Sequence, residues 1–174
     1  TQGTDAITKM ERPPENIFLA IFQKWIESEK TKNPNEHLGN IRLGPINWQH
    51  RFAEVGLVLN KSCWNQGYGT EAISLVRDYA FGKLSLHKLT AGCYSCNPAS
   101  VRAFEKAGFK REGLLRSQYH TEYGRWTDEV VLGCLAEESY TQNITDSTAT
   151  SYSFRDYSFR LSLEAASVIA SQVE

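Results

Sequence analysis

The stretch CWNQGYGTEA, residues 63–72, places a glycine-rich turn directly before an apolar helical pattern. A helix begins with backbone N–H groups that have no intrahelical partner, and its N-terminus carries partial positive charge. Glycines just ahead of a helix let the backbone come close to a bound anion. The turn is therefore compatible with two interpretations, a phosphate cradle or a tight strand-to-helix connection that needs glycine for its geometry alone. It is not a P-loop, because no Gly-Lys-Ser/Thr follows at the required spacing.

Periodic patterns on both sides of this turn predict a mixed α/β fold. Apolar or alternating runs predict strands at residues 17–23, 37–46, 53–59, 88–94, 110–116 and 126–135. After the turn, apolar residues recur at spacings of three and four and predict a helix with one buried stripe, formed by Ala72, Ile73, Val76 and Ala80. Asn97-Pro98 opens a second helix, whose predicted inner face is Val101, Phe104 and Ala107.

Composition limits the class of protein. The chain has 174 residues, 41% of them hydrophobic, which is enough for one sizeable core. Its 19 basic and 20 acidic residues give a net charge of −1 without a basic stripe, which argues against a nucleic-acid partner. No apolar run has the length of a membrane span, and four scattered cysteines suit a reducing compartment. We therefore expect a cytoplasmic protein with no membrane partner.

The chain divides into three segments by composition. Residues 1–16 are polar and predict an irregular lead-in, and residues 17–138 hold all the periodic patterns above. Residues 139–174 predict a Ser/Thr-rich linker and a C-terminal extension, in which residues 163–173 have the pattern of a short amphipathic helix.

Several pieces of the sequence, taken in order and spacing, resemble the GNAT family of N-acetyltransferases. They are HLGNIRLGPI (37–46), AEVGLVL (53–59), WNQGYGTEA (64–72), LHKLTAGCYSCNPASVRAFEKAGFKREG (86–113) and GRWTDEVVLGCL (124–135). The likeness is greatest to the branch that contains ribosomal-protein N-terminal acetyltransferases and many small-amine and amino-sugar acetyltransferases.

The resemblance implies a splayed, mostly antiparallel sheet flanked by helices, and it makes residues 17–138 an acetyltransferase domain. The usual N-terminal strand and helices of the family have no counterpart in the polar residues 1–16. In the family, the pantetheine arm of acetyl-CoA lies in the split of the sheet and its pyrophosphate meets the following loop. The implied coenzyme contacts are Leu57, Val58 and Leu59 on the strand, and Trp64, Asn65, Gln66, Gly67, Tyr68, Gly69 and Thr70 in the loop.

The resemblance also implies catalytic roles, each of which has a plainer alternative. Glu54 is the expected general base for the amine, although it could equally be an outward-facing carboxylate on a half-exposed strand. Asn97 matches an asparagine that contacts the pantetheine, and it is also a suitable helix N-cap. Ser100 matches a serine that can donate to the departing thiolate, but a serine in a first helical turn is ordinary.

One position departs from the family pattern. Many members have a tyrosine as general acid where this chain has Phe104, which we therefore place among the coenzyme contacts only. Either Ser100 replaces that acid, or Tyr94 or Tyr119 reaches the site, or the thiolate leaves unaided. No metal is expected, because the pair Cys93 and Cys96 has no second ligand pair at a suitable spacing.

The sequence thus predicts an acetyl-CoA-dependent N-acetyltransferase that modifies a primary amine, either a protein N-terminus or an amino sugar. The alternative is a coenzyme-A-binding module without turnover, which Phe104 and the short N-terminal segment favour. Dimers are common in the family, so the resemblance allows a homodimer.

Overall fold

A computed structural model describes residues 14–23, 36–121, 124–139 and 159–162 of the chain. The elements in chain order are β1 (Ile17–Gln23), β2 (His37–Asn47), β3 (Phe52–Leu59), a 3₁₀ helix (Lys61–Cys63), α1 (Tyr68–Gly82), β4 (Lys88–Tyr94), α2 (Pro98–Lys106), β5 (Lys110–His120), β6 (Trp126–Leu135) and β7 (Phe159–Ser162).

The strands form one sheet in the order β5-β6-β4-β3-β2-β1-β7. The β3–β4 pair is parallel, and the other neighbouring pairs are antiparallel. The β3–β4 pairing extends only from Phe52 opposite Lys88 to Glu54 opposite Thr90, and beyond that point the two strands separate. The predicted mixed α/β class and the splayed, mostly antiparallel sheet are confirmed.

Both helices contribute to the single core that covers one face of the sheet. The predicted stripes are correct, because Ala72, Ile73, Val76 and Ala80 of α1 and Val101 and Phe104 of α2 are buried. They join a cluster with alternate residues of the central strands, among them Val55 and Leu89. The intervening residues of β3, such as Glu54 and Val58, are exposed, as the period of two for a strand requires.

Strand ends and the C-terminal segment differ from the sequence prediction. Strand β5 continues to His120 rather than ending at residue 116. The pairing register shifts between Leu115 and Tyr119, where Ser117 has a left-handed φ of +51°, and pairing with β6 resumes at Tyr119. This irregularity breaks the alternation from which the strand end was predicted. From the segment predicted as linker and extension, β7 pairs antiparallel with β1 at the edge of the sheet. The predicted helix at residues 163–173 and most of the predicted linker lie outside the described residues.

Candidate functional site

The separation of β3 and β4 opens a cleft of about 490 Å³. Its walls come from the C-terminal half of β3, the turn that follows, the first turn of α1, and one side of α2 along its length. The lining residues are Leu57, Val58, Leu59, Cys63, Trp64, Asn65, Gly67, Gly69, Thr70, Asn97, Ala99, Ser100, Arg102, Ala103 and Lys106. The structure therefore brings together most of the residues that the sequence singled out, from three separate segments of the chain.

The glycine turn forms the end of the cleft where helix α1 begins. Gly67 is the N-cap with a left-handed φ of +89°, a conformation that favours glycine, and as a glycine it brings no capping side chain of its own. Gly69 lies against β3, since a Cβ at this position would be 3.3 Å from Leu57 Cδ2 and 3.4 Å from Leu59 Cδ1. Geometry thus explains both glycines, and it also places the N-terminus of α1, with its partial positive charge, at the cleft wall, where an anion is stabilised.

Two side chains hold the turn in place. The Trp64 indole Nε1–H donates to the Leu59 carbonyl oxygen at 3.0 Å, which ties the turn to the end of β3. The Gln66 amide Nε2 donates to the Ser62 carbonyl oxygen at 2.6 Å. Gln66 is therefore part of the loop's own hydrogen bonding and is not among the lining residues, and Tyr68 is partly buried against the core.

The start of α2 forms another part of the cleft wall. The Asn97 side-chain oxygen accepts from the Ser100 backbone N–H at 3.2 Å, so Asn97 is the N-cap as well as a lining residue. Ser100 Oγ lies 3.2 Å from the sulfur of Cys93 on β4. Burial raises the pKa of the Cys93 thiol, the hydrogen bond with Ser100 offsets part of this rise, and the Glu129 carboxylate adds to it.

Phe104 does not reach the cleft. Its side chain is 3% exposed and packs edge to face on Phe109, with ring centroids 5.1 Å apart. The reason is helical spacing, because Phe104 follows Val101 by three residues and shares its buried face. The expectation that Phe104 contacts the coenzyme therefore has no support in the position of its side chain.

Glu54 lies on the exposed face of the sheet, at the last rung before β3 and β4 separate. Arg42 Nη2 donates to Glu54 Oε1 at 2.8 Å. The contact follows from the pairing register. Arg42 lies opposite Gly56, and Glu54 is two residues before Gly56 on the same face of β3, so Arg42 and Glu54 are diagonal neighbours. Glu54 therefore lies next to the point where the strands separate, but it is not one of the residues that line the cleft.

Further polar and aromatic groups lie near Glu54. The Tyr94 and Tyr119 ring centroids are 4.8 Å apart. Partial burial raises the pKa of Tyr119, the charge of Glu129 and a hydrogen bond with it raise this pKa further, and the charges of Tyr94 and Glu54 add smaller contributions. Two carboxylates and a pair of tyrosine rings therefore share this part of the sheet, where a cationic amine would be attracted.

The sequence prediction missed two cations that line the cleft. Arg102 and Lys106 are exposed and lie four residues apart on α2, so they share one side of the helix. Their spacing of four residues on the helix that Asn97-Pro98 opens was the available signal. Among the described residues, no group of three or more His, Cys, Asp or Glu side chains is arranged to hold a metal ion, and no helix is long and apolar enough to cross a membrane.

Comparison with known proteins gives the family of the chain. The family model of the GNAT acetyltransferase domain matches residues 4–110, and the chain belongs to this family. The uncharacterized N-acetyltransferase YnaD of Bacillus subtilis is 34% identical over 140 residues, which cover 74% of this chain and 81% of YnaD. The probable N-acetyltransferase YjcK of the same organism is 43% identical over 83 residues, 48% of this chain and 45% of YjcK.

Other relatives carry a substrate in their names. The spermidine N(1)-acetyltransferase of Vibrio cholerae is 32% identical over 91 residues, 52% of this chain and 52% of that protein. A crystal structure of the Vibrio cholerae spermidine N-acetyltransferase with CoA and spermine has a TM-score of 0.58 and 28% identity, and the match covers 61% of this chain and 62% of that one. The chain thus spans about half the length of several relatives that it matches.

Proposed function

We propose that the chain is an acetyl-CoA-dependent N-acetyltransferase that acts on a primary amine. The observation that carries the proposal is a cleft that is lined both by the part of β3 that has separated from β4 and by the N-terminus of α1. Separated strands leave backbone groups that can pair with an extended amide chain, and the pantetheine arm is such a chain. The helix N-terminus and the two cations of α2 suit the phosphates of the coenzyme. Its thioester supplies the acetyl group.

The residues around the split suit the remaining chemistry. An amine must lose a proton before or during its attack, and Glu54 is the proposed general base. Arg42 holds Oε1 of Glu54, and Oε2 accepts no hydrogen bond within the described residues, so this oxygen can take the proton. Ser100, on the cleft wall, is the proposed donor toward the departing sulfur, and Asn97 fixes the helical turn that carries it.

The proposed acceptor is a small primary amine. We expected a protein N-terminus or an amino sugar from the sequence, whereas relatives from Vibrio cholerae and Escherichia coli are named spermidine N(1)-acetyltransferases. The carboxylates of Glu54 and Glu129 and the rings of Tyr94 and Tyr119 would attract the charges of such an amine. A polyamine therefore becomes the first acceptor to test, ahead of the two classes that we expected.

The test is transfer of isotope-labelled acetyl from acetyl-CoA to spermidine, an N-terminal peptide and a nucleotide amino sugar, read by mass spectrometry. We expect label on one acceptor and a fall of about a hundredfold or more in kcat for Glu54→Gln. Glu112→Gln is the matched control, because Glu112 is also ion-paired, with Lys88, but lies on β5, which does not border the split between β3 and β4. Equal kcat values for the two variants would remove Glu54 as the base.

A coenzyme-A-binding module without turnover is the second candidate, and two observations favour it. Arg42 neutralises the proposed base, and the residue at the family's tyrosine position is buried in the core. Calorimetric binding of acetyl-CoA without transfer to any amine of the panel would support this candidate over the enzyme. A cytoplasmic location stays a prediction, and so does self-association, which light scattering of the purified chain would test.

A further inference from the structure

The contact between Cys93 and Ser100 joins the cleft wall to the buried side of the sheet. Ser100 Oγ and Cys93 Sγ are 3.2 Å apart, and either atom can donate. Cys93 is 4% exposed and lies on β4 three residues beyond Thr90, in the part of the strand that has separated from β3. The thiol is therefore beside the split but is shielded from solvent, with Ser100 between it and the cleft.

The hydroxyl of Ser100 has one hydrogen, and its direction decides what Ser100 can do. If Ser100 donates to Cys93, no O–H points toward the cleft. If Cys93 donates its S–H to Ser100 Oγ, the serine hydrogen is left for a partner in the cleft. In the described part of the chain, Cys93 Sγ is the only hydrogen-bond partner of Ser100 Oγ.

We propose that Cys93 is a positioning residue that donates its S–H to Ser100 Oγ and thereby directs the Ser100 hydroxyl toward the sulfur of the departing coenzyme. This inference rests on the proposed function. In the reaction, the amine nitrogen bonds to the acetyl carbon, the carbon–sulfur bond breaks, and its electron pair leaves on sulfur. The Ser100 O–H stabilises the sulfur by a hydrogen bond. Glu54 takes one proton from the protonated amine before the attack, and the second proton that the nitrogen loses as the amide forms completes the thiol. Cys93 is neither oxidised nor deprotonated.

The protonation state of Cys93 is compatible with this role. Because its surroundings hold the pKa of the thiol above the ordinary value of 9.0, the group keeps its hydrogen at neutral pH and remains a donor. A thiol donates weakly, so its effect is on the orientation of Ser100 rather than on the charge of the site.

Infrared spectroscopy of the S–H stretching band reads the direction of the hydrogen bond without turnover. The band of Cys93 is the one that Cys93→Ser removes. If Cys93 donates, Ser100→Ala frees the S–H and its band moves to higher wavenumber. An unmoved band in Ser100→Ala would mean that the thiol does not donate to Ser100, and it would overturn the inference whether or not the chain is an enzyme.

Kinetics test the consequence. We expect Cys93→Ala to lower kcat by about twofold to fivefold, the lower part of the range for one net hydrogen bond because a thiol donates weakly, with little change in the KM for acetyl-CoA. Cys93→Ser keeps a donor and should restore most of the rate. Cys134→Ala is the matched control, since Cys134 is also buried but its thiol donates to the Leu135 carbonyl oxygen and makes no contact with Ser100. A kcat for Cys93→Ala equal to that of Cys134→Ala would refute the positioning role, whereas a wild-type chain that transfers no acetyl group would refute the proposed function.

Discussion

Removing the two cations on α2 should weaken coenzyme binding in a way that depends on salt. Arg102 and Lys106 line the cleft and are exposed, so each acts on a bound phosphate through water-like surroundings. Two unit charges about 4 Å apart then interact by about 1 kcal/mol, which gives about 2 kcal/mol for the pair. The double variant Arg102→Gln/Lys106→Gln should therefore raise the Kd for coenzyme A by about thirtyfold at low ionic strength.

Isothermal titration calorimetry at low salt and at about 1 M salt measures this effect, because the Debye length falls to about 3 Å at the higher concentration. The loss of affinity should shrink severalfold at high salt. The control Lys83→Gln/Arg116→Gln removes the same charge from exposed positions away from the cleft and should change the Kd by less than about twofold. Equal Kd values for the two double variants, or a loss that salt does not reduce, would refute the assignment of these cations to the phosphates.

Three further predictions concern the turn, the core and the thiols. Gly67 and Gly124 have φ values of +89° and +72°, and a Cβ added at either position would meet open space. Gly67→Ala and Gly124→Ala should therefore each lower the free energy of unfolding in urea by about 1 kcal/mol, but only Gly67→Ala should weaken coenzyme binding. Equal losses of affinity in the two variants would contradict the role of the turn as a phosphate cradle. Arg77 is buried and donates to the Ala107 carbonyl oxygen at 2.7 Å, so Arg77→Met should lower the free energy of unfolding by about 2 kcal/mol. If thermal unfolding shows a loss of stability no larger than that of Lys83→Met, the hydrogen bond does not stabilise the fold. Burial raises the pKa of Cys134 to about 11, so about one Cys134 side chain in a thousand is a thiolate at pH 8. Iodoacetamide should therefore label the exposed Cys96 before Cys134, as read by mass spectrometry. Equally fast labelling of both cysteines would contradict the burial of Cys134.

Most of the fold could be predicted because its elements carry simple patterns. The bounds of β1, β4 and β6 match the apolar runs, since each run is bordered by polar or turn residues. The end of β5 could not be predicted, because Ser117 adopts a left-handed φ and the pairing register shifts beside it. The pairing of β7 with β1 joins segments more than a hundred residues apart, and no local pattern specifies such a contact.

The candidate site was predictable where it is continuous in sequence. The glycine turn and the segment from Asn97 to Ser100 supply much of the cleft lining. Local chemistry left their roles open, and the family resemblance assigned them to the coenzyme and the reaction. The contact of Cys93 with Ser100 and that of Arg42 with Glu54 were missed, because each depends on how two elements pack or pair. For Phe104, position within a family motif suggested a coenzyme contact, whereas helical phase places its side chain in the core; the contact itself stays a prediction.

The most direct test of the central claim is hydrogen–deuterium exchange of the backbone amides, measured by mass spectrometry with and without acetyl-CoA. If the coenzyme lies in the split of the sheet, amides of residues 56–59 and 65–70 should exchange more slowly when it is bound, because they gain hydrogen-bond partners or lose access to water. The buried amides of β1 and β2 should be unaffected. Binding that leaves exchange at residues 56–59 and 65–70 unchanged, or slows it only elsewhere, would contradict the account.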